Sequence, residues 1–109
     1  MAVPADQLME LVRHVTDRDS RQRELGADRT TDWLGGYSEA DGRILVGVLS
    51  IAAASERDHG ALEAQLHALL ELGSRGFTDF RSLSRLREID RDPLPSNLRD
   101  YVDDLLDAS

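Results

Sequence analysis

Leu8, Leu11, Val12 and Val15 recur at spacings of three and four, and Pro4 stands where a first helical residue would. That period lays one apolar stripe along a helix and predicts helix one. From Asp19 to Leu34 only Leu25, Trp33 and Leu34 are large and apolar, amid charges of both signs. This stretch predicts a helix that buries little or has a mobile end. Ser38, with Asp41 three residues on, predicts an N-cap in a variant of the capping box. In the helix that follows, Ile44, Leu45, Val48, Leu49, Ala52 and Ala53 form the inward stripe, while Val46 and Ile51 point elsewhere. It should therefore be covered on more than one side. Gly47 within it costs about 1 kcal/mol relative to Ala and marks a place where another helix comes close.

Asp58 is placed to cap the next helix, in which Leu62, Leu66, Leu69 and Leu70 share a face and which Gly73 ends. A helix with Phe80, Leu83 and Leu86 follows. Pro93 and Pro95 force a turn before a last helix carrying Leu98, Tyr101, Val102, Leu105 and Leu106. No stretch alternates strictly enough to predict a strand. The expectation is an all-α fold of about five helices.

Two segments share an offset pattern. Leu62, Leu66, Leu69 and Leu70 follow Asp58 at the same distances at which Leu94, Leu98, Tyr101 and Val102 follow Asp90; taken from Asp17 the register is nearly lost. The chain is thus expected to form a single domain over 1–109, with 1–37 as a divergent N-terminal cap and 38–109 as a region of paired helices. "LVGVLSIAAASERDHGALEAQLHALLELG" resembles the helical-pair repeats of HEAT-like proteins: an apolar helix, a tight acidic turn and a second Leu-rich helix. The chain departs from that pattern by placing His59 and Gly60 where a basic residue often stands, and by Pro93 and Pro95 in its last unit. A compact helical bundle is the architectural alternative. "EAQLHALLEL" also resembles segments of small helical immunity proteins of bacterial toxin systems. That resemblance implies a protein that binds and blocks a toxin without chemistry of its own.

At 109 residues there is room for one modest core. Aromatic residues make up only 5 %, so the apolar 40 % is mostly aliphatic, as in helical cores. The net charge of −8 argues against nucleic-acid and anionic-membrane surfaces and favours a basic protein partner. Without Cys there is no disulfide, thiolate nucleophile or Cys-ligated zinc. All thirteen cations are Arg, which removes Schiff-base chemistry and a P-loop Lys and hints at a GC-rich bacterial genome. Neither a secretory signal nor a membrane-spanning run is indicated, so a cytoplasmic location is expected.

Two candidate sites emerge. His59, Glu63 and His67 lie four apart on one helix ridge, as first-row metal ligands could, but the ridge is also the ordinary polar border of the Leu62/Leu66/Leu70 face. It lacks the tight H-E-x-x-H spacing; His59 is the member expected to be half-buried. On the last helix Asp100, Asp103, Asp104 and Asp107 form one acidic stripe. Like charges so spaced, near a helix C-terminus, oppose local stability. They suit either solubility or docking of an Arg/Lys-rich partner. Arg18, Arg21, Arg23 and Arg29 are nearly cancelled by Asp17, Asp19, Glu24, Asp28 and Asp32, a surface laced with ion pairs. Trp33 and Tyr37 are placed to pin that segment to the core or to join an interface. No catalytic set and no cofactor is expected. The expected function is a non-enzymatic protein-binding module of immunity or antitoxin type, binding through the last-helix stripe. The alternatives are a metal-dependent or acid–base enzyme on the His59/Glu63/His67 ridge, and a homo-oligomeric subunit whose helix from Ile44 to Ala54 is covered by a second chain.

Overall fold

The computed structural model describes residues 2–107, and among these the regular elements are all helical. They are α1 (Ala5–Val15), α2 (Ser20–Asp32), α3 (Glu39–Ser55), α4 (His59–Ser74), α5 (Phe80–Leu83) and α6 (Ser96–Asp107), with 3-10 turns at Leu34–Gly36 and Ser84–Glu88. Carboxylate and hydroxyl caps set most of the starts. Asp19 accepts from the Arg21 amide, Ser38 from Asp41, Asp58 from Ala61 and Asp79 from Ser82, each satisfying one orphan N–H. Pro4 keeps an extended backbone and forms the cap itself, one position before the helix. After α4 the chain reverses at Gly76, whose φ of 79° is open to glycine at little cost. The helix therefore ends just past Gly73.

The helices are arranged as successive pairs in two layers. α1 packs on α2, α3 on α4, and α5 with its 3-10 extension on α6. Along one layer α1 meets α3 and α3 meets α5; along the other α2 meets α4 and α4 meets α6. The molecule is 40 × 29 × 18 Å, and its least dimension fits two helix layers. Leucines fill the space between: Leu11, Leu45, Leu49, Leu62, Leu66, Leu69 and Leu72 are essentially inaccessible. Leu70, expected on the inner face, is instead exposed, and Leu72 takes the inner place.

α2 is held more firmly than its sparse large residues predict. It packs through small ones, Gly26, Ala27 and Thr30, all buried, while Leu25 faces out. A Cβ on Gly26 would lie 2.9 Å from His14 Cβ and from the Val15 amide, so glycine sets the close crossing of α1 and α2. Tyr37 pins the end of the segment: its buried hydroxyl donates to the Thr30 carbonyl at 2.8 Å. Trp33 packs against the core beneath the Arg29 guanidinium, 5.8 Å from the ring centroid.

In α3 the inward residues are Leu45, Val46, Leu49, Ser50 and Ala53. Two expectations are corrected there. Ile44 belongs outside and Val46 inside, because the buried arc is centred between the Leu45/Leu49 and Val46/Ala53 ridges. No helix approaches Gly47, where a Cβ would meet nothing within 4 Å; close contact falls at Gly42, against the Phe77 ring. The offset match between Asp58 and Asp90 is also uneven in space: Asp58 caps α4, whereas Asp90 lies ahead of α6 and accepts from the Asp92 amide.

Candidate functional site

Three elements of one layer, α2, α4 and α6, carry most of the candidate polar residues on their outer side. On α6 the apolar edge is satisfied internally, with Leu98, Val102 and Leu105 buried. The opposite edge presents Asp100, Asp104 and Asp107, all exposed and without an ion pair among the described residues. Asp103 differs. Arg91, in the turn ahead of the helix, donates to its carboxylate, so this fourth member of the stripe ties down the approach to α6.

Beside the stripe lies an open cleft of about 440 Å³ lined by Glu24 and Asp28 of α2, Glu63, Ala64 and His67 of α4, and Tyr101 of α6. Glu24/Asp28 and Glu63/His67 are each one turn apart on facing helices. The cleft thus collects three carboxylates at the seam where α2 meets α4. Tyr101 forms its far wall, with its hydroxyl 3.4 Å from His67 Nδ1 and its ring edge-on to the imidazole, centroids 6.5 Å apart. Asp104 follows Tyr101 by one helical turn, which sets one carboxylate of α6 beside the wall of the cleft. Asp100, Asp104 and Asp107 are visible in the sequence as a stripe. Glu24 and Asp28 are not, because only the packing of α2 on α4 brings them there.

The His59–Glu63–His67 ridge divides. His59 and Glu63 are exposed, and the half-buried member is His67, not His59, since Tyr101 covers it. His67 Nε2 lies 3.9 Å from Glu71 of the same helix. Among the described residues no three His, Asp or Glu side chains converge as a metal site would require. His59 instead borders a different hollow with Glu88, Asp90 and Arg57.

A buried polar knot holds the α2–α4 seam in place. Glu56, in the turn between α3 and α4, has a side chain only 1 % exposed. Arg23 of α2 grips both its oxygens, Nε to Oε1 at 2.6 Å and Nη2 to Oε2 at 2.7 Å, while Arg23 Nη1 donates to the carbonyls of Asp17 and Arg18. Gln65 of α4 donates to Oε1 at 2.9 Å, and the amides of Arg57 and Asp58 donate to Oε2. Burial pushes the Glu56 carboxyl upward most strongly, but the Arg23 fork, the backbone amide and Gln65 together hold it below the usual range. The Arg23 guanidinium is raised in turn, chiefly by its bond to Glu56. Sequence reading missed this knot; its signal was Gln65, a polar residue on the Leu62/Leu66/Leu69 face that must find a buried partner.

The chain matches no protein-family model, no curated protein and no solved structure. No helix among the described residues is long and apolar enough to cross a membrane. What the acidic surface can do chemically is concentrate negative potential over three helices on one side of the molecule. It offers acceptors and charge to guanidinium and ammonium groups.

Proposed function

We propose that this chain is a non-enzymatic binding module of the immunity or antitoxin type, and that its partner is a basic protein docked on the α2/α4/α6 side. The observation that carries this reading is the set of exposed, unpaired carboxylates on α6 beside the Glu24–Asp28–Glu63 cleft. Like charges so close together raise the energy of the free protein, and a cationic surface relieves that repulsion on binding. Tyr101 adds an aromatic ring, whose face attracts a guanidinium at the centre of such a contact.

Within the all-α fold, the reading of HEAT-like pairs is supported by the order of contacts, in which each pair meets the next. In a stack of this kind the second helices of successive pairs make one continuous surface, which is the surface invoked here.

The test is capture of a defined basic partner by tagged wild-type protein, repeated with Asp100→Arg/Asp104→Arg. The reading expects the partner to be lost from the variant while its helical circular-dichroism signal persists. Capture of the same partner at unchanged yield would reject it.

A further inference from the structure

The opposite layer carries a surface of the contrary kind. On α3, Ile44 is 49 % and Ile51 56 % exposed, with Gly47 and Val48 between them half-exposed. Residues 44, 47, 48 and 51 follow the helical spacing, so they form one unbroken apolar strip with no charged side chain in it. Beyond Val48 the strip drops into an open groove of about 560 Å³, walled by Val15 of α1 and by Val48, Ile51 and Ala52 of α3, and lined also by Asp17, Arg57 and the Arg23–Glu56 pair. In a chain whose residues are 31 % charged, this is a strip from which charge is missing. Isolated exposed isoleucines need no explanation; two on one helix ridge beside a groove with an apolar wall do.

We propose that this face is the interface of a symmetric homodimer in which α3 packs antiparallel against α3 of a second copy, crossing near Gly47 and Val48. The pattern of the strip is self-complementary. Ile44 and Ile51 lie at nearly equal distances on either side of Gly47–Val48, so a two-fold axis at that step sets each isoleucine against the other isoleucine of the partner. Gly47 has nothing within 4 Å of where its Cβ would be, so its own chain gives no steric reason for glycine in mid-helix. A second helix crossing there supplies that reason, because the missing side chain lets the backbones approach.

Charge selects the orientation. Asp41 stands near the N-terminal end of the strip and Arg57 at its C-terminal end, and neither makes an ion pair among the described residues. An antiparallel copy brings each Asp41 toward the Arg57 of the partner; a parallel copy would set like against like. The strip, the groove and Met9, 54 % exposed on α1, are a small area by the standard of stable dimers. A dimer that dissociates on dilution through the micromolar range is therefore expected. This association is independent of the acidic side, which it leaves facing outward on both copies.

Sedimentation equilibrium of the full chain tests the proposal. Wild type is expected to form a dimer at tens of micromolar that dissociates on dilution. Ile44→Glu/Ile51→Glu should be monomeric throughout with its helical signal retained. Gly47→Gln, whose Cβ would meet nothing within 4 Å, should fold at least as well as wild type yet weaken association at least tenfold. Arg57→Asp should also weaken it, and Asp41→Arg added to Arg57→Asp should restore it. Wild type that stays monomeric at several hundred micromolar, or a dimer that survives the double Glu substitution, would overturn the proposal.

Discussion

The two outer faces of the molecule differ in what their charges do. On the α1/α3 side Glu10 is paired with Arg13 and Arg43 with both Glu39 and Asp79, while Asp41 and Arg57 stand without an ion pair among the described residues at the two ends of an uncharged strip. On the α2/α4/α6 side Asp103 is paired near the surface with Arg91. Arg23 and Glu56 are drawn inward as a bonded pair, while Asp100, Asp104 and Asp107 are left outside without one. The inner pair clasps α2 to the turn between α3 and α4, and the outer row makes no ion pair among the described residues. A carboxylate in this protein is informative only once its partner is known, because the same residue type serves as helix cap, buried clasp or free surface charge.

Removing the clasp should have the largest effect. Arg23→Ala leaves the Glu56 carboxylate 1 % exposed and without its main counter-charge, which should cost about 3–5 kcal/mol in denaturant unfolding. Glu56→Gln should cost less, since Arg23 is 22 % exposed and can turn to water. A loss under about 1 kcal/mol for Arg23→Ala would mean that α2 is held by its small-residue packing alone.

Acid should weaken the same clasp. The folded-state pKa of Glu56 is depressed, so its contribution is present above the ordinary carboxylate pKa and is lost as pH falls through the lower folded value. Stability should drop below about pH 4. Glu56→Gln should have a smaller acid loss than wild type when both are unfolded in urea across that range. Equal losses would place the acid sensitivity elsewhere.

The outer row should show the smallest effect, with the opposite sign. Asp100→Asn/Asp104→Asn/Asp107→Asn relieves like-charge repulsion and the unfavourable interaction with the helix dipole, and should raise stability by a few tenths of a kcal/mol per residue. A lower melting temperature in this variant would show that those carboxylates hold α6 in place.

Much of the fold is legible in the sequence because large aliphatic residues at helical spacing report directly on buried faces. Leu8, Leu11 and Val15, Leu62, Leu66 and Leu69 of α4, and Leu98, Val102 and Leu105 all lie inside as their spacing predicts. Where residues are small, the spacing is silent. Gly26, Ala27 and Thr30 are the buried residues of α2, but nothing in a hydropathy pattern marks them. α3 failed for the reverse reason: apolar residues occur all round it, so periodicity could not choose between Ile44 and Val46. The acidic row on α6 was legible because it lies on one helix. The Glu24–Asp28–Glu63 cleft was not, since α2 must pack on α4 before those side chains become neighbours.

The central claim, that the outer carboxylates serve a partner and the inner pair serves the fold, is tested most directly by calorimetric titration of the captured basic partner into wild type and into Asp100→Asn/Asp104→Asn/Asp107→Asn at low and high salt. The account predicts salt-sensitive binding to wild type and at least tenfold weaker, nearly salt-insensitive binding to a variant that melts no lower. Equal affinity and equal salt dependence for the two proteins would contradict it.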